Sequence, residues 1–287
     1  MPICFKPNDS RAESVLDLAA INEILYMRQN AVNLMPELGY LKAVNILAFV
    51  LVVVVNALAN VIPLGGNTTA EVSDAYPTLL TPAGYVFSIW GIIYALLFVF
   101  TVYQGYAARE APFLSKISLF FLLSSLVNVF WLFLWHYEQI IPSVALMFVL
   151  LATLVVIYLR LQIGRSNVSL KEKLCVHLPF SVYLGWITIA AIANVASALV
   201  AVNWDGWGLT AVTWASLLII IALVVTLAVI VTRKDVAYSL VILWALGGVI
   251  VKQAAYESIV LTAEVSAVMV VIALVAVYLL SLRTKKQ

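Results

Sequence analysis

The sequence predicts an all-α polytopic membrane protein, and three observations lead to that fold class. The 287 residues are 64% hydrophobic with a mean hydropathy of +1.08, and only 10% of them are charged. Soluble domains contain about 25% charged residues, so this composition excludes the soluble classes. Long apolar runs follow one another along the chain, and basic residues are concentrated in alternate connecting segments. We expect the lipid bilayer as a partner and no nucleic acid.

Eight apolar runs approach the length of a bilayer-spanning helix. About 20 residues at 1.5 Å each cross a hydrocarbon core of about 30 Å. The runs are Val44–Ile62, Tyr85–Val102, Ile117–Trp135, Ile141–Leu159, Leu178–Val202, Leu209–Val231, Val236–Val251 and Val265–Leu282. The seventh is short, and we expect Ala254, Ala255 and Tyr256 to extend it. The sequence therefore predicts about eight transmembrane helices.

The basic residues support this count and predict the orientation of the chain. If the N terminus is cytoplasmic, all 16 Lys and Arg residues except Lys252 fall on the cytoplasmic side. This asymmetry is the positive-inside bias of membrane proteins, and one missed helix would abolish it. We therefore expect an integral membrane protein with both termini in the cytoplasm.

Residues 1–43 form a polar N-terminal segment before the first apolar run. Ser10–Glu13 is typical of a capping box that begins a short amphipathic helix ending near Met27. The alternatives are a cytoplasmic tail and a true start at Met35. With a start at Met35, residues 57–59 would resemble a signal-peptidase site.

The sequence lacks the residue patterns of catalysis and of metal binding. No acidic residue lies inside an apolar run, and Lys252 is placed to extend its ammonium to the membrane interface. His136 and His177 fall at opposite membrane faces, so they cannot share a metal ion. Cys4 and Cys175 are both predicted to face a reducing cytoplasm, so no disulfide is expected. We expect neither an enzyme nor a required cofactor.

The tryptophans divide into two groups by their depth in the predicted helices. Four lie near outer helix ends, where tryptophan anchors helices at headgroup level: Trp135, Trp204, Trp207 and Trp214. Three others lie about two turns inside their helices: Trp90, Trp131 and Trp186. Each deep tryptophan belongs to a stripe at helical spacing: Phe87–Trp90–Tyr94–Phe98, Ser124–Asn128–Trp131–Trp135, and Trp186–Ala190–Asn194.

Two interpretations of these stripes are open. In the first, the aromatic side chains pack helix against helix, and Asn128 and Asn194 form interhelical hydrogen bonds. In the second, the stripes line a cavity for a flat, mostly apolar ligand. Bulky aromatic residues hold helices apart, whereas close helix packing favours small residues, so three stripes together favour the cavity.

The same residues resemble the TspO/MBR family of tryptophan-rich sensory proteins, also called translocator proteins. The resemblance rests on Pro82–Phe87 followed by Trp90 and Tyr94 on the second helix. It rests further on Asn128-x2-Trp131 on the third helix, and on Trp186-x3-Ala190-x3-Asn194 after Pro179 on the fifth. A loop of about twenty residues, 63–81, separates the first two helices, as in the family.

This resemblance implies a five-helix bundle, residues 44–202, that encloses a ligand pocket beneath the first loop. Family members bind porphyrins, haem or sterols and often form homodimers, so porphyrin or haem becomes the expected ligand and a homodimer an expected assembly. The ligand-binding residues implied for this chain are Pro82, Tyr85, Phe87, Trp90, Tyr94, Asn128, Trp131, Trp186, Ala190 and Asn194.

The sequence departs from the family pattern at several places, and three of these departures bear directly on function and architecture. Residues 76–81 contain no tryptophan, so the light-driven porphyrin degradation of some members is not expected here. The residues after Asn194 lack the tyrosine and basic residue of the sterol-recognition pattern, so no sterol binding is predicted. Residues 203–287 add three helices and a short basic tail that the short family members lack.

Two functions are consistent with these features of the sequence. The first is a membrane-embedded protein that binds, senses or traffics a flat hydrophobic ligand in an aromatic pocket between helices 1–5. The alternative is a transporter that moves a small neutral or lipophilic solute through the eight-helix bundle.

Overall fold

The computed structural model describes residues 39–59, 61–62, 64–106 and 112–284, in which all regular secondary structure is helical. The helices, in chain order, are α1 (Gly39–Ala59), α2 (Thr69–Ala75), α3 (Ile89–Tyr106), α4 (Pro112–His136), α5 (Ile140–Arg160), α6 (Leu170–Glu172), α7 (Leu178–Ala201), α8 (Ala211–Arg233), α9 (Val236–Lys252) and α10 (Glu257–Thr284). A 3₁₀ turn, Gly84–Ser88, leads into α3, and a π-helical turn, Lys173–His177, joins α6 to α7. The all-α polytopic fold is confirmed.

Seven of the described helices are long and apolar enough to cross a membrane. A shorter apolar helix, α9, has 17 residues and measures about 25 Å at 1.5 Å per residue. The predicted extension of this helix through Ala254 and Ala255 is wrong, because α9 ends at Lys252 and the chain turns. The side chain of the next residue, Gln253, is buried and donates a 3.1 Å hydrogen bond to the carbonyl of Thr81.

Helices α3, α4, α5 and α7 build the central core. At its centre the rings of Phe100, Phe121 and Phe180, one from each of α3, α4 and α7, contact one another at centroid distances of 5.2–5.9 Å. All three rings are fully buried. The edge-to-face geometry that they adopt is the preferred one for aromatic pairs, and it fixes the spacing of the three helices.

Helix α9 packs directly on this core, although the sequence presents the last three helices as an addition to the bundle. Gly185 of α7 lies so close to α9 that a Cβ there would be 3.1 Å from the carbonyl oxygen of Tyr238. Near the C-terminal end of α9, the Gly248 carbonyl accepts a 3.0 Å hydrogen bond from the Ala83 amide. Helix α10 lies at the periphery, with most of its apolar side chains exposed.

A buried carboxylate lies at the start of α9, although no acidic residue falls inside a predicted apolar run. Asp235 caps α9 by accepting a 3.1 Å hydrogen bond from the Tyr238 amide. It also accepts hydrogen bonds from the hydroxyl groups of Tyr158 in α5, at 2.9 Å, and Ser181 in α7, at 2.7 Å. This one side chain therefore fastens three helices together at one end of the bundle.

The opposite end of the bundle holds α2, and we call it the loop end. Lys252, expected to extend toward the membrane interface, instead forms an ion pair with Asp74 of α2. Most of the predicted polar segment 1–43, including its capping box and Cys4, lies outside the described residues. The cytoplasmic location of the termini stays a prediction.

Candidate ligand-binding site

Three helices bring the deep tryptophans together near the loop end. The ring of Trp90 in α3 lies 6.4 Å from Trp131 of α4 and 6.2 Å from Trp186 of α7, measured between centroids. Trp131 and Trp186 are buried, and Trp90 is half-buried between them. The three stripes inferred from the sequence therefore face one another, and Trp90 lies at their centre.

Further aromatic rings extend this cluster in both directions. Tyr94 stacks on Trp90 at 5.6 Å with an interplanar angle of 17°, and Phe87 meets Trp186 edge-on at 5.8 Å. Trp135 stacks on Trp131 at 5.6 Å. Trp135 is buried, so its assignment to the interfacial belt was wrong. Its position four residues after Trp131 is the sequence signal that places it on the same face.

The cluster encloses a small cavity of about 40 Å³. Seven of the predicted binding residues line it: Pro82, Phe87, Trp90, Trp131, Trp186, Ala190 and Asn194. Five further residues complete the lining: Thr69, Ser73, Trp135, Ile189 and Ala193. Ligand pockets usually measure about 300–1,000 Å³, so the cavity in this conformation has room for a few water molecules at most.

Three predicted residues lie outside the cavity lining. Tyr85 is half-exposed and contacts Trp244 of α9 at 5.3 Å. Tyr94 lies behind Trp90. Asn128 accepts a 2.9 Å hydrogen bond from Asn56 of α1 and donates one of 3.2 Å to the Tyr183 hydroxyl. Asn128 therefore forms interhelical hydrogen bonds. This role agrees with the first of the two interpretations drawn from the sequence.

Asn194 supplies the polar side of the cavity. Its Oδ1 accepts a 2.9 Å hydrogen bond from the Trp131 indole, and its Nδ2 donates one of 2.9 Å to Ser143 of α5. The side chain is buried. Because both ends of the amide already have partners, Asn194 holds α4, α5 and α7 in place around the cavity.

Two buried polar atoms in the cluster have no hydrogen-bond partner among the described residues. They are the indole nitrogen of Trp186, which lines the cavity, and the hydroxyl of Tyr94. An unpaired buried donor costs about 1–3 kcal/mol, so most buried polar groups in proteins are paired. The Trp186 nitrogen is therefore available to a ligand or to bound water in the cavity.

Helix α2 covers the cavity from the loop end. Thr69 accepts a 3.1 Å hydrogen bond at its carbonyl from the Trp135 indole, and its hydroxyl lies 3.1 Å from Nε2 of His136. His136 is thereby buried in a polar contact. The Thr68 and Glu71 pair forms a capping box that begins α2, and this pattern in the sequence is the signal that predicts the helix.

The end of α2 is fastened by a hydrogen bond in addition to the ion pair between Asp74 and Lys252. The Tyr76 hydroxyl donates a 2.9 Å hydrogen bond to Glu138, which follows α4. Partial burial raises the pKa of Tyr76, and the bond to the Glu138 carboxylate raises it further, because both favour the neutral phenol. The contact is therefore intact at neutral pH.

The described residues contain no group of three or more His, Cys, Asp or Glu side chains placed to hold a metal ion. The site that the structure presents is aromatic, with hydrogen-bonding groups and no cluster of charges.

A comparison with protein-family models finds one match, to the family described as TSPO-like protein, over residues 42–278. The match runs from α1 into α10, so it includes α8 and α9 as well as the helices that line the cavity. Neither the curated proteins nor the solved structures gave a significant match.

Proposed function

The chain belongs to the TSPO-like family, and from this premise we propose that it binds a flat, largely apolar ligand, such as a porphyrin or haem, in the aromatic cavity. Family membership and the apolar helices make it a membrane-embedded binding or sensing protein in general terms. The observation that supports a specific site is the indole nitrogen of Trp186, which is buried without a partner beside the cavity.

The chemistry of the cavity lining suits such a ligand. Indole and phenyl faces stack on a flat conjugated ring, as they already stack on one another here. The Trp186 indole would donate a hydrogen bond to a carbonyl, carboxylate or ring-nitrogen acceptor of the ligand. A ligand that supplies such an acceptor relieves the cost of this unpaired donor, which favours the bound state.

The cavity of about 40 Å³ is far smaller than a porphyrin, so binding requires the site to open. The enclosing contacts show where opening would occur. Helix α2 is held by the hydrogen bonds of Thr69 and Tyr76, by the ion pair of Asp74 and by one fully buried apolar side chain, that of Val72. By contrast, α4 and α7 are joined through buried aromatic rings. We therefore assign the opening movement to α2. In the bound state, aromatic rings that now contact one another would contact the ligand.

The test is a titration of the purified protein with protoporphyrin IX, followed by the porphyrin absorption band. We expect saturable binding, and we expect Trp186→Phe to weaken it by about 1–2 kcal/mol, because the variant keeps a ring and loses the donor. Trp90→Ala removes the central stacking face, and about 1–3 kcal/mol of binding should be lost.

Phe98→Ala is the matched control. Phe98 lies on α3 one turn beyond Tyr94, but it is exposed and contacts Phe49 of α1 instead of the cavity. This variant should bind the porphyrin as the parent does. Equal affinity in the parent and in all three folded variants would show that the aromatic cavity is not the binding site.

A further inference from the structure

A second and larger cavity lies on a different face of α7, where the end of α7 meets the start of α8. Its volume is about 570 Å³, within the range of small-molecule sites. Aliphatic side chains of the two helices form most of its wall, among them Leu199 and Leu218, and Pro77–Leu80 covers one side. This cavity shares no lining residue with the aromatic site.

Three tryptophans border this cavity: Trp204, Trp207 and Trp214. Their ring centroids lie 4.8–6.1 Å apart. The Trp214 indole donates a 2.8 Å hydrogen bond to the Gly206 carbonyl, which fixes the turn between α7 and α8. Anchoring at headgroup level explains why tryptophans lie near these helix ends, but it does not explain why three indoles gather at one cavity.

The backbone of this turn holds Trp207 in an exposed position. Trp207 has a φ of 50°, a left-handed conformation that is unfavourable for a residue with a Cβ. Its side chain is nevertheless 77% exposed, so burial of the indole does not compensate for the energetic cost of that conformation. Strained backbone that presents an exposed side chain is typical of ligand sites.

Among the described residues that line this cavity, Asp205 alone has an ionisable side chain. Its Oδ1 accepts a 3.0 Å hydrogen bond from the Trp207 amide, so the carboxylate is held beside the indoles. The described residues at the loop end add further negative charge through Glu71 and Glu138, while Lys252 is paired with Asp74. A cation is therefore attracted to the rim of the cavity.

We propose that this second cavity binds an ammonium group attached to an apolar chain. The ammonium group lies against the indole faces and the Asp205 carboxylate, because cations are attracted both to aromatic faces and to an opposite charge. The apolar chain occupies the aliphatic part between α7 and α8. This site is independent of the aromatic cavity, and either proposal stands if the other fails.

The test uses octyltrimethylammonium as the probe, with 2,2-dimethyldecane as its uncharged analogue of the same shape. The full chain is labelled with 5-fluorotryptophan in a neutral maltoside detergent, and each fluorine resonance is assigned by a Trp→Phe variant. We expect saturable shifts at Trp204, Trp207 and Trp214 with the cation and weaker ones with the analogue. Equal affinity for the two probes, or shifts confined to Trp90, Trp131 and Trp186, would overturn the proposal.

Two variants separate the carboxylate from the indoles. Asp205→Asn should weaken cation binding about three- to fivefold and leave binding of the analogue unchanged. Glu257→Gln makes the same change of charge at the loop end, away from the cavity lining, and should have little effect. Trp207→Leu should weaken cation binding about three- to tenfold, and it is not expected to unfold the protein because Trp207 is exposed. If Asp205→Asn and Glu257→Gln weaken binding equally, no defined site exists.

The cation has two sources in a membrane, a soluble lipophilic amine and the choline headgroup of a phospholipid. The same labelled protein in nanodiscs of phosphatidylcholine and of phosphatidylglycerol distinguishes them. Bound-state shifts in phosphatidylcholine without added probe identify the lipid headgroup. Shifts that require octyltrimethylammonium in both lipids identify a soluble cation, and no shift under either condition rejects the site.

Discussion

The indole nitrogen of Trp131 donates a 2.9 Å hydrogen bond to Oδ1 of Asn194, which joins α4 to α7 beside the aromatic cavity. Both residues are buried, and they are 63 positions apart in the sequence. They belong to two different stripes that the sequence placed on separate helices. The bond therefore links two of the motifs that carry the family resemblance.

Asn194→Val should destabilise the protein by about 1–3 kcal/mol. The change removes the acceptor of the Trp131 indole and leaves that buried donor without a partner. Thermal unfolding in detergent, followed by tryptophan fluorescence, measures the effect. Trp131→Phe removes the donor of the same bond, so the loss in the double variant should be smaller than the sum of the single losses. Additive losses would contradict this role of Trp131.

The spanning helices and the stripes that carry Trp90, Trp131 and Trp186 followed from the sequence, because apolar length and helical spacing are local properties. Helix α9 was too short for the same reasoning to fix its end. Lys252 and Gln253 interrupt the apolar sequence, but Ala254 and Ala255 follow them, and in the structure the helix ends where Gln253 bonds to Thr81, 172 residues earlier. A contact of that separation leaves no pattern in a single sequence.

The sequence also did not predict that the cavity is closed. The stripes indicated which faces are aromatic, but not whether those faces would contact a ligand or one another. In the structure Trp90 fills the space itself, by contacting rings from α4 and α7. Trp135 was misassigned for a related reason: its depth is set by Thr69 of α2, which accepts the hydrogen bond from its indole.

Gly248→Ala should destabilise the packing of α9, whereas Gly247→Ala should not. A Cβ at Gly248 would lie 2.1 Å from a methyl group of Val86 and 3.0 Å from Pro82, while none of the described atoms lies within 4 Å of one at Gly247. We expect a loss of about 1–3 kcal/mol for the first variant. The second should be neutral or stabilising by up to about 1 kcal/mol, since alanine favours a helix. Unfolding temperatures compare the two neighbours directly.

The clash at Gly248 can be tested further with a double variant. Val86 is fully buried, so Val86→Ala alone is also destabilising. Combined with Gly248→Ala it removes the methyl group that the new Cβ would meet, and the combined loss should be smaller than the sum of the single losses. Additive losses would place the strain elsewhere.

Asp235→Ala should cost about 2–4 kcal/mol of stability. The variant removes the N-cap of α9 and leaves the buried hydroxyl of Ser181 and the hydroxyl of Tyr158 without their acceptor. Asp205→Ala is the matched control, since Asp205 also caps a helical turn but is exposed. Resistance to proteolysis and the unfolding temperature should both fall for Asp235→Ala only. A similar fall in both variants would mean that the Asp235 contacts to α5 and α7 add little.

The rate of ligand entry should be limited by the movement of α2. If the cavity must open first, the observed association rate of protoporphyrin IX levels off as its concentration rises. Trp135→Phe keeps an aromatic ring next to Trp131 and loses the hydrogen bond to Thr69. We therefore expect α2 to open more readily. Loss of a bond worth about 0.5–1.5 kcal/mol should raise the plateau rate about two- to tenfold. Trp244→Phe removes an indole bond to Val86, away from α2, and should leave the plateau unchanged. A rate that rises linearly without a plateau, and equally in both variants, would show that α2 does not control access to the cavity.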